Sequence, residues 1–136
     1  MTESWPDVEG ALRAYLRADA GVAAIVGARV FFGVPRGATE ATFPLITVQR
    51  VGGGADTSEA PLDIALVQID CWGVLDASGN GDKAGATALL NTVRSACSHV
   101  TDPTIRGINV QTVIWLPDPD TDRPRYSVTA EVAAIS

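Results

Sequence analysis

The sequence predicts an α+β domain: a mostly antiparallel sheet of four to five strands with two main helices packed on one face. The longest strand-like run, LDIALVQIDCWG at residues 62–73, sits near the middle of the chain. A segment with a clean helical period follows it. The remaining strand-like runs are consecutive and joined by loops, which suits antiparallel neighbours. The 136 residues fit one domain spanning 1–136, with no internal repeat and no linker.

Taken in order, Ser4 is placed to cap a first helix and Pro6 to sit in its first turn, where a missing N–H costs nothing. Val8, Leu12, Tyr15 and Leu16 form one apolar stripe. Asp19 opens a second short helix over residues 20–26, which Gly27 ends. Residues 29–32 read as a short strand, 33–42 as a loop and 45–51 as a strand opened by Pro44. Residues 52–61 (GGGADTSEAP) are a long loop, and long loops in small domains are often contact elements.

In the central run, Ala65, Val67, Ile69 and Cys71 make a continuous apolar face, suited to a helix. The other face starts apolar with Leu62, Ile64 and Leu66, then turns mixed at Gln68, Asp70 and Trp72. A face of that kind is expected at or near a subunit contact. Residues 76–82 are a turn cluster. The helix over 83–99 buries Ala86, Leu89, Leu90, Val93, Cys97 and Val100 by its period. A strand over 108–116 puts Ile108, Val110, Ile114 and Leu116 on one side. After a polar loop at 117–125, the last strand runs over 126–135.

Composition excludes several functions. Nearly half the residues are apolar, which argues against disorder, yet no apolar run is long enough to span a bilayer. The acidic N-terminus lacks the basic and apolar regions of a signal peptide, so synthesis in a cytoplasm is expected. Cys71 and Cys97 are then two small buried hydrophobes. The net charge of −6, with one lysine and scattered arginines, lacks the clustered basic face of a nucleic-acid binder.

No catalytic or ligand motif survives inspection. GNGDKAG at 79–85 follows a strand and opens a helix, but its glycines miss the dinucleotide spacing, and Lys83 lacks a Walker context. Asp118, Asp120 and Asp122 have the D-x-D-x-D look of a calcium loop. Position six is Arg123 instead of glycine, and position twelve is Thr129 instead of glutamate. His99 has neither a serine nor Cys97 placed productively beside it. Asp70 with Glu131 is the one carboxylate pair to inspect for acid–base work, and interface hydrogen bonds or an exposed sheet face explain the two acids more simply.

Five segments in order carry a family resemblance: ADAGVAAIVG, FPLITVQR, VQIDCW, ATALLNTVRSA and DPDTDRPRYSVTAEV. Together they resemble the tail terminator (tail completion) proteins of long-tailed bacteriophages. The resemblance implies a structural virion protein of the tail and neck, made in the host cytoplasm. It implies a homo-oligomer, a hexameric ring that caps the tail tube and joins it to the head connector or stopper. Genomic DNA would pass through the lumen without specific binding. No catalysis, cofactor, metal or membrane is implied.

On that reading, candidate subunit or tube contacts are Gly53, Gly54, Asp56 and Glu59 in the long loop, Gln68, Asp70 and Trp72 on the mixed face, and Asp118, Asp120 and Asp122 in the last loop. Acidic side chains in the 53–59 or 118–122 loops are expected to face the lumen, where carboxylates repel phosphates. The competing readings are another neck component such as a stopper or adaptor, a small enzyme built around Asp70, and a module that binds a protein partner.

Overall fold

The computed structural model describes residues 5–53 and 62–135. Helix α1 (Val8–Ala18) is capped by Asp7, whose Oδ1 accepts from the Gly10 N–H at 3.1 Å. The expected cap, Ser4, lies outside the described residues, and Pro6 stands ahead of the cap instead of in the first turn. Aspartate caps as well as serine, and its charge also favours the positive end of the helix. Helix α2 (Ala20–Val26) starts at Asp19, whose Oδ2 accepts from the Val22 N–H, and ends at Gly27.

Strand β1 (Val30–Phe31) is followed by a single 3-10 turn at Glu40–Thr42, inside what reads as loop in the sequence. Then come β2 (Leu45–Gly53), β3 (Leu62–Trp72), α3 (Lys83–Ser98), β4 (Ile105–Trp115) and β5 (Arg125–Ile135). The five strands form one sheet in the order β1-β2-β3-β5-β4. Every pairing is antiparallel except β1 with β2, which is parallel. A parallel neighbour needs a crossover of about a dozen residues, and residues 32–44 supply it. The α+β architecture and the helices on one face agree with the sequence-based expectation.

Strand β2 runs to Gly53, two residues past its expected end, after a register shift between Arg50 and Gly52. Gly53 adopts φ 80°, and a Cβ there would lie 2.6 Å from the Ile64 carbonyl oxygen. Only glycine fits. Strand β4 starts at Ile105, earlier than expected, and carries two shifts of its own, the second between Val110 and Thr112. That bulge inverts the alternation. Val113 packs on the core, while Ile114 turns outward and is 52% exposed. The expectation that Ile114 shares a side with Ile108 and Val110 is therefore corrected.

The core lies between the inner sheet face and the helices. Ala65, Val67, Ile69 and Cys71 of β3 are fully buried, flanked by Ile46 and Val48 of β2 and by Val128 and Ala130 of β5. Leu12 and Leu16 of α1 and Leu89 and Val93 of α3 close over them. The Tyr15 hydroxyl donates to the carbonyls of Ala96 at 2.7 Å and His99 at 3.1 Å, tying α1 to the end of α3. Tyr15→Phe leaves both acceptors short of a donor. It is expected to lower stability by about 1 kcal/mol, read from urea denaturation midpoints.

Both thiols are free and buried. Burial, reinforced by Asp19, pushes the Cys97 thiol up to about 11, and burial pushes Cys71 up further. Neither is expected to react with iodoacetamide in the native protein at pH 8, and both should react once urea unfolds it. Native labelling of either thiol would contradict this packing.

Candidate assembly surface

The outer sheet face divides into two halves along β3. Leu62, Ile64, Leu66, Gln68, Asp70 and Trp72 point outward in succession. They oppose Ile135, Ala133, Glu131, Thr129, Ser127 and Arg125 on β5. All three helices contribute to the core on the other side.

The half around Trp72 is covered by the chain itself. Trp72 Nε1 donates to Thr47 Oγ1 at 3.1 Å, and its ring tilts against Phe43 at 6.2 Å between centroids. The Arg125 guanidinium lies 4.5 Å over the Trp72 ring, 3.9 Å from an Asp70 oxygen, and its Nε donates to the Leu116 carbonyl. Gln68 Nε2 donates to both Asp70 oxygens at 3.1 Å. Asp70 is thus 7% exposed and Trp72 9%. These two candidate contact residues already have partners within their own chain.

Arg123, which drew notice in the sequence only as a failed calcium-loop position, organises this end. Its Nη2 donates to Glu40 Oε2 at 2.6 Å and its Nη1 to Glu40 Oε1 and the Gly73 carbonyl. The guanidinium lies 3.7 Å from the Phe43 centroid. Glu40 Oε1 also accepts from the Leu75 N–H. One buried cation therefore joins the 3-10 turn, the end of β3 and the β4–β5 loop. The Arg123 hydrogen bonds, with the Leu75 N–H, hold the Glu40 carboxyl below its ordinary 4.5.

The loop that carries Arg123 also holds Asp118, Asp120 and Asp122. Asp118 Oδ1 accepts from the Asp120 N–H at 3.0 Å, which is the main cause of its lowered pKa. Asp122 sits at φ 61° and donates its N–H to the Asp118 carbonyl. The three acids shape a turn, with Asp120 and Asp122 exposed. Asp76 and Asp82 lie in the adjoining β3–α3 connection, joined to this loop where the Gly73 N–H meets the Pro124 carbonyl. Among the described residues, no three metal-ligating side chains converge.

The remaining half of the outer face, around Leu62, Ile64, Leu66 and Gln68, is half-buried beside Ala133, Ile135 and Thr129. Glu131 is the one exposed charge among these neighbours. The candidate acid pair Asp70 and Glu131 does not meet. Asp70 opposes Ser127, and Glu131 opposes Leu66, four positions or ~13 Å away along the strand. Gly53 ends β2 beside Ala65, at the far end of the face from Trp72. Gly54, Asp56 and Glu59 lie outside the described residues.

His99 has its sequence neighbour Ser98 beside it, but not as a nucleophile held by a base. Ser98 Oγ lies 2.8 Å from its Nδ1. That hydroxyl donates to the Ser95 carbonyl, and the ring nitrogen reaches the same oxygen at 3.1 Å. This is the geometry of a helix end satisfying its own last carbonyls.

A family model described as "Tail completion protein gp17" matches residues 10–134. Among solved structures, a chain from the virion of a native gene transfer agent (GTA) particle has a similar fold, with a TM-score of 0.61 at 22% identity. The match covers 96% of this chain and 98% of that one. No curated protein matches.

Proposed function

Because this chain belongs to the tail completion protein gp17 family, and so is a structural component of a phage-type virion tail, we propose that it is the tail terminator. In this reading six copies close into a ring on the finished tail tube. The ring then forms the seat for the head connector or stopper. The observation that carries the reading is the charge-poor, half-exposed outer sheet face, Leu62 to Gln68. A monomer leaves such a strip uncovered, and other virion proteins would cover it. The chain works as a structural part and not as an enzyme: Asp70 is held by Gln68 Nε2 and by the Arg125 guanidinium.

The exposed acids Asp76, Asp82, Asp120 and Asp122 gather at one end of the sheet, with the exposed cation Lys83 next to Asp82 in the chain. Facing a lumen, they would repel the phosphate backbone and let DNA slide without being gripped. The test is tail assembly without this chain. Tubes should form but vary in length and fail to join heads. Tubes of normal length that merely fail to join would point to a stopper or adaptor instead.

A further inference from the structure

Three arginines at the β1 edge of the sheet form no ion pair among the described residues. Arg13 of α1 donates from Nε to the Val30 carbonyl at 2.8 Å, and Arg29 donates from Nε to the Pro44 carbonyl at 2.9 Å. Each guanidinium is thus tethered through one nitrogen, and its two Nη groups are left as a fork. Arg36 stands at the corner of a turn that closes with the Ala38 N–H on the Pro35 carbonyl, with Gly37 at φ 78°. The ion pairs among the described residues join Arg50 to Asp63, Arg123 to Glu40 and Arg125 to Asp70, and use none of these three.

The surrounding chain has no carboxylate to spare for them. Residues 20–39 carry Arg29 and Arg36 and no acid. On the adjoining elements, Glu9 accepts the Arg50 N–H, Asp63 pairs with Arg50 and Glu40 pairs with Arg123.

Beside these cations lie exposed apolar groups. Phe32 is 44% exposed and Val34 42%, and the Arg13 guanidinium lies 4.9 Å from the Phe32 centroid. The mixture decides what fits. A phosphate backbone satisfies guanidinium groups but leaves Phe32 and Val34 in water. A peptide segment with carboxylates and an apolar side chain covers both. The exposed acids of the β3–α3 and β4–β5 loops face the lumen in the reading above, so the segment comes from another protein.

We infer that this edge docks an acidic segment of another virion protein. Its carboxylates take the Nη forks of Arg13 and Arg29 and the guanidinium of Arg36, and its apolar side chain covers Phe32 and Val34. Forked pairs are the strong form of charged hydrogen bond. The tethers lower the cost of ordering two long side chains on binding. The inference rests on the terminator reading only for its choice of another protein over a second copy.

The test places a photo-crosslinking residue at Val34 in the full chain and irradiates assembled tails. The expected product joins position 34 to a different tail or neck protein, at a segment where carboxylates flank the crosslinked residue. Arg36 makes no hydrogen bond or ion pair among the described residues, so Arg36→Glu should fold with unchanged circular dichroism. It should lower the crosslink yield about tenfold or more. Arg94→Glu, on exposed α3, should leave the yield unchanged. Adducts to a second copy, to DNA or to a segment without carboxylates overturn the inference, as does the absence of any adduct or a yield indifferent to Arg36→Glu. Tube length and the presence of a ring in the same tails report on the terminator reading separately.

Discussion

Ile69→Ala is expected to cost about 3–4 kcal/mol of unfolding free energy. Ile69 is fully buried at the centre of β3, between Val48 and Val128, which are fully buried as well. Truncation loses transfer free energy and leaves a cavity that the helices and the sheet cannot both collapse into. For a domain of this size the melting temperature should fall by roughly 10 °C. Ile64→Ala, on the outer face of the same strand, is the matched control. Ile64 is half-buried and has no helix over it, so its loss should cost about 1 kcal/mol in the isolated chain. In the assembled tail the order should invert: Ile64→Ala should weaken incorporation of otherwise folded protein. Equal costs for the two substitutions in denaturant titrations would mean that the two faces of β3 have been assigned wrongly.

Arg123→Met is expected to cost about 2–3 kcal/mol, more than Glu40→Gln at the other end of the same ion pair. The asymmetry follows from burial. The Arg123 side chain is 9% exposed and that of Glu40 is 51%. Removing the arginine orphans the buried Gly73 carbonyl and the face of Phe43. Removing the glutamate charge leaves a guanidinium that keeps its carbonyl and its ring. The pair also sets an acid response. The folded Glu40 carboxyl is held below its ordinary 4.5, chiefly by the Arg123 hydrogen bonds. The stability it contributes is therefore complete above about pH 4.5 and is lost as pH falls through the lower folded value. Melting temperatures between pH 5 and pH 3 should fall less steeply in Glu40→Gln than in the parent. An unchanged slope would show that the carboxylate gains nothing from folding.

Those two residues mark what the sequence makes visible and what it hides. Ile69 is readable because a period of two repeats over four apolar residues, and the helix that covers it repeats at 3.6 over about four turns. Both signals are local. Arg123 has no local signal, since its partner Glu40 lies 83 residues away and meets it only after the sheet has formed. The same limit applies to the mixed face of β3. Gln68, Asp70 and Trp72 read correctly as something other than plain solvent surface. What covers Asp70 and Trp72 is Arg125, delivered by a strand more than fifty residues later. The outward turn of Ile114 was hidden for another reason. A bulge adds one residue to a strand without changing its composition, so alternation carried through it gives the wrong face. Edge positions were equally unreadable, because β5 inserts between β3 and β4 and leaves the earlier strand outside.

Electron microscopy of isolated tails with this chain labelled tests the terminator reading most directly. The expected image is a closed ring of six labelled copies at one end of every finished tube, the end that joins the head. Label spread along the tube, label at the opposite tip, or a single unringed copy at the neck would contradict it.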